Sequence, residues 1–169
     1  MANFEKAITF VLHNEDAHLS GVVTEDAGGR TRFGVAERFH PELGDAFYEG
    51  SAESALETAR EIYRADYWRA ICGEEIKDPA VATKLLDMAV NMGVRQAIVL
   101  CQRALNSMGF PLREDGVCGS GTLSAMNRAS GPVLVAHLRG CCALFYQHLA
   151  AVRPEVQPYL KGWLNRARA

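Results

Sequence analysis

Apolar residues recur at helical spacing along most of this chain. Near the amino terminus Phe4, Ala7, Ile8 and Val11 are spaced to share one helix face, which predicts a helix over residues 3–14. The same spacing predicts further helices over residues 51–70, 79–92, 95–108, 122–128 and 131–152, with a last short helix after Pro154. The pattern therefore predicts a mainly α fold.

The helix boundaries carry signals of their own. Ser51, followed by a second serine three positions on and by acids in the first turn, is typical of a capped helix start. Asp78 before Pro79 predicts another start, because Asp caps the first turn and Pro suits its first position. Between the first two long helices, residues 35–47 predict a short helix and a connection broken at Pro41.

Two segments lack the helical pattern, residues 16–34 and 110–121. The first holds the densest group of acids, glycines and hydroxyls in the chain, namely Glu25, Asp26, Gly28, Gly29, Thr31 and the pair Phe33-Gly34. Glycine and polar residues at this density predict a loop, or a loop that contains a short hairpin. In the second segment, Asp115-Gly116 predicts a turn before a helix.

Composition narrows the function classes. The chain has 169 residues, 49% hydrophobic and 22% charged, which suits one globular domain with or without a small subdomain. A formal net charge of −2 gives no basic surplus, so nucleic acid is not expected as a partner. No HxxxH, HExxH or CxxC spacing occurs, and the phosphate-loop, dinucleotide-binding and serine-hydrolase motifs are absent. We therefore expect no metal and no cofactor.

Cysteine usage and the amino terminus indicate where the chain is made. The five cysteines are odd in number and include the adjacent pair Cys141-Cys142, which predicts free thiols formed in a reducing compartment. The first residues lack the basic and apolar regions of a secretory signal, and no apolar run approaches the ~20 residues of a membrane span. We expect a monomer made in the cytoplasm, without membrane insertion.

Glu15 stands at or near the end of the first predicted helix. A carboxyl group there faces the negative end of the helix dipole, which favours its protonated form. That is the form a general acid needs. Taken alone, Glu15 is more simply explained as a solvated residue at a helix end.

Four strings in order resemble one known family. Glu15, followed by the acidic Gly-Gly-x-Thr-x-aromatic-Gly string of residues 26–35, resembles glycoside hydrolase family 108, whose members are lysozyme-like muramidases found among phage endolysins and secretion activator proteins. Asp-Met-Ala-Val-Asn-Met-Gly at 87–93 and Gly-Trp-x-x-Arg at 162–166 resemble further family motifs. Residues 115–123 resemble the Asp-Gly-x-x-Gly-x-x-Thr string of peptidoglycan-binding domains. The resemblance covers nearly the whole chain.

The first string departs from the family pattern at three points. Asp16-Ala17-His18 stands where the family has Gly-Gly-Tyr, and the spacing from Glu15 to Asp26 is two residues longer than usual. Phe33 stands where tyrosine is common. Residues 16–25 are therefore the segment in which this chain differs most from the family.

The resemblance implies cleavage of the β-1,4 bond between N-acetylmuramic acid and N-acetylglucosamine in bacterial peptidoglycan. Glu15 would be the general acid, and Asp26 the second carboxylate with Glu25 as its competitor. Thr31 would hold the attacking water. The candidate substrate-binding residues are Gly28, Gly29, Phe33, Asp87 and Asn91.

Structural roles stay open for several of these residues. Asp26 can instead cap the glycine turn, and Thr31 can bond to backbone. Asp87 and Asn91 lie one helical turn apart and can form a polar network that supports the loop rather than contact substrate. Trp163 is more simply a core anchor than a platform for sugar.

The expected fold is a lysozyme-like helical domain with an irregular or short-hairpin active-site loop. Residues 1–94 form the expected catalytic region, and residues 95–169 a helical peptidoglycan-binding-like region packed on it as one compact unit. A holin or a dedicated secretion system would bring the protein to its partner, the peptidoglycan of the cell wall or periplasm. Two other functions stay open, a lytic transglycosylase and a catalytically silent module that binds cell walls or serves as a phage structural part.

Overall fold

A computed structural model describes residues 2–15, 18–26 and 29–169, without the side chain of Asp26. In chain order the elements are α1 (Phe4–Glu15), β1 (Thr24–Asp26), β2 (Gly29–Arg32), β3 (Val35–Ala36), α2 (Gly44–Tyr48), α3 (Ala52–Tyr63), α4 (Pro79–Met92), α5 (Val94–Ser107), α6 (Ser120–Arg128), α7 (Gly131–Val152) and α8 (Leu160–Arg168). Helix accounts for 68% of the chain, which confirms the predicted mainly α class.

The predicted helix starts are confirmed by their caps. The Ser51 hydroxyl accepts a hydrogen bond from the amide of Ser54 at 3.2 Å and begins α3. Asp78 Oδ1 accepts from the amides of Ala80 and Val81 at 2.8 and 3.2 Å, and α4 begins at the following proline. The helix predicted over 51–70 is continuous only to Tyr63, because the chain then widens into a π-helical turn at Arg64–Trp68.

Helix α4 is the centre of the molecule. It packs against α1, α5 and α7, and α7 in turn packs against α8. The apolar side chains of α4 are almost wholly buried, with Leu85 and Leu86 at 1% and 0% exposure. Asp87 lies on the same helix and is only 2% exposed, so a carboxylate is carried into the core. A carboxylate at this depth requires charged or hydrogen-bonding partners.

The first loop folds into a small antiparallel sheet with the order β1-β2-β3. The short-hairpin alternative is therefore confirmed, whereas the helix predicted from Val35 is wrong. Phe33 and Gly34 have φ values of +49° and +76°, which makes a two-residue hairpin turn and sends Val35 back along Arg32. The helix of this region, α2, begins after Pro41 instead. None of the helices in residues 2–15, 18–26 and 29–169 is both long and apolar enough to span a lipid bilayer.

Arg32 attaches the sheet to the helical body. Its guanidinium is buried and donates to the carbonyl of Gly21 at 2.8 Å, to that of Phe47 at 2.6 Å and to that of Gly50 at 2.9 Å. Carbonyls from both sides of the hairpin are thus held by one side chain. The sheet is fixed against α2 and the start of α3, so its strands form a rigid wall rather than a free loop.

Candidate active site

Glu15 is the last residue of α1, as the sequence predicted. The inner face of α1 is anchored by apolar residues, among them Ile8, Val11 and Leu12, which are fully buried. This anchoring fixes the position of the helix end. The Glu15 side chain is 23% exposed and projects into a cleft rather than into open solvent.

The cleft lies between the end of α1 and the sheet. Its volume is about 360 Å³, and its lining residues are Glu15, Ser20, Val22, Thr24, Thr31, Phe33 and Gly34. Thr24 and Thr31 are paired across β1 and β2, so their side chains share the face of the hairpin that borders the cleft. The structure thus brings Thr31 and Glu15 to one cavity, although they lie on different elements.

The candidates for the second carboxylate differ in position. Glu25 pairs with Arg30, the next position along both strands, and side chains alternate between the two faces of a sheet. Glu25 is therefore directed away from Thr31 and is exposed outside the cleft. The Asp26 side chain and Gly28 lie outside the described residues, while Gly29, at φ +98°, begins β2.

The absence of a side chain at Gly34 leaves room for the Glu15 side chain beside the hairpin turn. An added Cβ at this position would collide with the Tyr63 hydroxyl and would approach Glu15 Cγ to 3.1 Å and Oε2 to 3.2 Å. The Tyr63 hydroxyl donates to the carbonyl of Phe33 at 3.0 Å, which ties α3 to the hairpin turn. Burial, and next the nearby Glu15 charge, raise the pKa of Tyr63, so this hydroxyl stays a neutral donor.

A cation from the far end of the chain holds the Glu15 carboxylate. Arg166 of α8 donates through Nη1 to Glu15 Oε1 at 2.7 Å and through Nε to Asp87 Oδ1 at 2.8 Å. Lys84 Nζ lies 3.4 Å from Asp87 Oδ2 and donates to the Arg166 carbonyl at 2.8 Å. Asn14, next to Glu15, donates to Asp87 Oδ1 at 3.0 Å.

These contacts form an ionic cluster of Lys84, Asp87, Arg166 and Glu15. Burial on its own would lower the pKa of Arg166, but Asp87 and then Glu15 outweigh it and raise the pKa above its usual value. Arg166 is therefore a permanent cation between two carboxylates. Asp87, at 2% exposure, is linked to Glu15 through Arg166.

A family model described as Glycosyl hydrolase 108 matches residues 9–93, half of the chain, and includes Glu15, the hairpin and Asp87. The chain belongs to glycoside hydrolase family 108. A second model, described as Predicted Peptidoglycan domain, matches residues 96–168. The family 108 chain is thus a peptidoglycan-related glycoside hydrolase with a peptidoglycan-binding region.

The fold is shared with a solved structure. The chain resembles "Structure of Brucella abortus SagA" with a TM-score of 0.72 and 24% sequence identity, over 98% of this chain and 89% of that one. At this identity the match shows a common fold. No curated protein matches the chain.

The two regions of the family 108 chain meet at Glu15. Glu15 and Asp87 lie within the glycosyl hydrolase match, whereas Arg166 lies within the predicted peptidoglycan match. The roles of Arg166 and Tyr63 are not evident from the sequence alone. Arg166 had a signal in the terminal Gly-Trp-x-x-Arg string, but Tyr63 had none beyond its place on a buried helix face.

Asn91 and Trp163 border a second cavity of about 460 Å³, which Arg166 also lines. Asn91 donates to the Tyr146 hydroxyl. Trp163 stacks with Tyr146 and Tyr159, with ring centroids 5.1 and 6.0 Å apart. The indole is therefore in contact with other aromatic rings, in keeping with a core anchor, whereas Asn91 is a polar side chain of α4 that borders this cavity.

We predict that Gly34→Ala displaces Glu15 in this family 108 protein. Alanine at φ +76° is strained, and its Cβ would also press on Tyr63 and Glu15. Gly109→Ala is a matched control, because Gly109 has φ +87° and nothing within 4 Å of an added Cβ. In urea denaturation, Gly34→Ala should lower the free energy of unfolding by about 1–3 kcal/mol more than Gly109→Ala does. Only Gly34→Ala should lose wall-clearing activity. Equal effects of the two substitutions would contradict a packing role for Gly34.

Proposed function

We propose that the protein is a lysozyme-type muramidase that cleaves the β-1,4 bond between N-acetylmuramic acid and N-acetylglucosamine, with Glu15 as general acid. The observation that carries the proposal is the position of the Glu15 carboxyl in the cleft, held on one oxygen and facing the hairpin. The cleft has the size of a pocket for a small ligand, and its threonine and serine hydroxyls suit a sugar.

The two oxygens of Glu15 have different surroundings. Oε1 accepts from Arg166, whereas Oε2 is the oxygen nearest to Gly34, which lines the cleft. We assign proton donation to Oε2. Cleavage of a glycosidic bond needs a proton on the leaving oxygen as positive charge develops on the sugar ring. A carboxyl held by one oxygen keeps the other aimed at the bond that breaks.

Thr31 supports a hydrolytic mechanism across the cleft. In this proposal its hydroxyl orients a water on the face of the sugar opposite Glu15, and Asp26 acts as the base that activates this water. Such an arrangement inverts the anomeric carbon and requires the two carboxyl groups to be about 6.5–9.5 Å apart. The register of β1 and β2 favours Asp26 over Glu25 for this role, because Glu25 lies on the far face of the hairpin.

The substrate contacts extend from this centre. Gly29 and Phe33 belong to the hairpin. Because Phe33 is only 3% exposed, we assign Phe33 to packing beneath the substrate rather than to direct binding. Asn91 is our candidate for contact with a sugar or stem peptide in the second cavity. Because this polymer lies outside the cytoplasm, we further propose export through a holin or a dedicated secretion system, with the protein acting as a monomer.

The products of wall digestion test this proposal. Purified peptidoglycan digested in heavy-oxygen water should release muropeptides with reducing N-acetylmuramic acid ends, each with one labelled oxygen, by mass spectrometry. Anhydromuramic ends without label would identify a lytic transglycosylase instead. Binding to walls with no new ends would identify a silent wall-binding module. A sample without protein controls for spontaneous cleavage.

A further inference from the structure

Two cysteines from distant parts of the chain face each other. Cys72 Sγ donates to the carbonyl of Cys118 at 3.0 Å, and Cys118 Sγ donates to the carbonyl of Ile71 at 3.4 Å. Each thiol thus reaches the backbone of the other's segment, and the two thiols are also hydrogen-bonded to each other. Both thiols are free and half-buried.

The segment that carries Cys72 is a tight turn after the π-helical turn. The amide of Cys72 donates to the carbonyl of Arg69 at 3.1 Å, and the amide of Gly73 donates to that of Trp68 at 2.9 Å. Cys72 has φ +59°, a left-handed conformation that residues other than glycine rarely adopt. The turn therefore holds the Cys72 side chain in a defined direction, at a cost in backbone strain.

The segment that carries Cys118 is equally fixed. Gln102, at 1% exposure, donates to Asp115 Oδ1 at 2.9 Å and to the carbonyl of Val117 at 3.1 Å, and it accepts from the amide of Gly116 at 3.0 Å. The Asp-Gly string is thus the turn that the sequence favoured, held by a buried amide. One consequence of this turn is the position of Cys118 against Cys72.

A second contact locks the two segments together. Asn127 of α6 donates to the carbonyl of Glu75 at 2.9 Å and accepts from the amide of Lys77 at 2.8 Å. The two cysteines therefore sit in a docked interface between the glycosyl hydrolase region and the predicted peptidoglycan region. Each sulfur atom already lies within 3.0–3.4 Å of a carbonyl oxygen of the other segment.

We propose that Cys72 and Cys118 form an intramolecular disulfide once the protein meets an oxidising environment, and that this bond joins the two regions covalently. The pairing rests on the thiol geometry and is independent of the proposed muramidase activity. Only the setting follows from that function, since peptidoglycan lies in compartments where disulfides persist.

The oxidant is a disulfide, such as oxidised glutathione or the active-site disulfide of a protein disulfide oxidase. The Cys72 thiolate attacks one sulfur of the oxidant, forms a mixed disulfide and releases one thiol. The Cys118 thiolate then attacks Cys72 Sγ, forms the new bond and releases the second thiol. Two electrons pass from the cysteine pair to the oxidant, and the released thiols carry the two protons.

The other cysteines are poorer partners. Cys101 is fully buried, so an oxidant in solution cannot reach its thiol. Cys141 and Cys142 are adjacent on α7, and neighbouring Cα atoms lie about 3.8 Å apart. A usual disulfide spans at least about 4.4 Å between Cα atoms. This disfavours the vicinal pair.

The test uses the full chain in a buffer of oxidised and reduced glutathione. Peptide mapping without reduction should find Cys72 joined to Cys118, with the loss of two hydrogen atoms from the mass of the protein. Cys141→Ser is the matched control and should keep the cross-link. Cys72→Ser and Cys118→Ser should each abolish it. Oxidised wild type should melt roughly 5–10 °C above reduced wild type, whereas oxidation should not shift the melting temperature of the two disabling variants.

The rate of closure should depend on pH. Burial, and next the hydrogen bond with Cys72, raise the pKa of Cys118, so its thiolate is scarce at neutral pH. Closure should therefore accelerate as pH rises from about 7 to 9, because the attacking thiolate becomes more abundant. A cross-link that joins other cysteines, a stable mixed disulfide at Cys72 in the wild type, or no cross-link at all would overturn the proposal. None of these readouts uses activity, so failure here is distinguishable from failure of the muramidase proposal.

Discussion

Glu15→Gln should reduce the rate of peptidoglycan clearance by roughly 10²–10⁴-fold, the usual contribution of a positioned proton donor. The substitution keeps the shape of the side chain, and the Gln carbonyl can still accept from Arg166 at the place of Glu15 Oε1. The substitution removes the proton that can be transferred and also the negative charge that pairs with Arg166. The measurement is turbidity loss of purified cell walls, with release of new reducing ends as the second readout.

The folded state should change little in this variant. Glu15 is at the end of α1, and the buried face of that helix is untouched. We expect the free energy of unfolding to fall by no more than about 1 kcal/mol, the difference between a charged and a neutral hydrogen bond. A loss of activity without a loss of stability would separate a chemical role of Glu15 from a structural one.

Glu25→Gln is the matched control. Glu25 is an exposed acid on the neighbouring hairpin, and the register directs it away from the cleft. Its amide variant should clear walls at the wild-type rate. If Glu15→Gln clears walls as fast as the wild type, Glu15 is not the proton donor. If Glu25→Gln is the inactive variant, the roles that we assign to the two glutamates are wrong.

Much of the helical framework follows from local sequence signals. Ser51 and Asp78 mark helix starts that the structure confirms, because a cap depends only on residues within one turn. The predicted helix start at Val35 is wrong because Val35 and Ala36 form a strand, and the short helix of this segment, α2, begins at Gly44 instead. The decisive features are the positive φ angles of Phe33 and Gly34, and a phenylalanine gives no warning of such a turn.

The candidate site, like the fold, is only partly predictable from local sequence signals. Glu15 could be found from the sequence, since α1 predicts its position and the family motif marks it. The partners of Glu15 could not be found by spacing, because Arg166 is 151 residues away and Tyr63 is on another helix. Their roles depend on how α4 and α8 pack, which no local pattern encodes. The sequence leaves two roles open for Asp87, substrate contact or support of the loop, and its burial favours support.

The ionic cluster places a side chain of the carboxyl-terminal region against the candidate general acid. α8 contacts Glu15 through one side chain, while its backbone at Arg166 accepts from Lys84 of α4. Removal of this helix would therefore remove a positive charge from the active site as well as a part of the fold. A test of this role must separate the charge of Arg166 from the stability that it contributes.

Arg166→Gln should destabilise the fold and lower kcat. The substitution leaves Asp87 in the core with only Lys84 as a charged partner at 3.4 Å, and it leaves Glu15 without its cation. Loss of one partner of a buried ion pair costs about 3–5 kcal/mol, and we expect a value of about 3 because Lys84 remains. Because Glu15 Oε1 is no longer held, kcat should fall while KM for soluble glycan fragments stays near the wild-type value.

Controls on the same helix isolate the effect of the charge. Arg168→Gln removes an exposed arginine two positions on, and it should change neither stability nor kcat. Arg166→Lys keeps the charge but cannot bridge Glu15 and Asp87, so it should recover part of the stability and less of the activity. All rates should be measured well below the melting temperature and corrected for the folded fraction.

A double-mutant cycle provides a readout that does not depend on activity. If Arg166 holds Glu15, the unfolding free energies of Glu15→Gln, Arg166→Gln and the double variant should not add, and the coupling should be about 0.5–1 kcal/mol, because Glu15→Gln alone costs no more than about 1 kcal/mol. The contact of 2.7 Å between Nη1 and Oε1 requires such a coupling. Strict additivity together with a normal kcat in Arg166→Gln would show that α8 supports the fold alone, and the catalytic cleft would then depend on α1 and the hairpin without help from the peptidoglycan region.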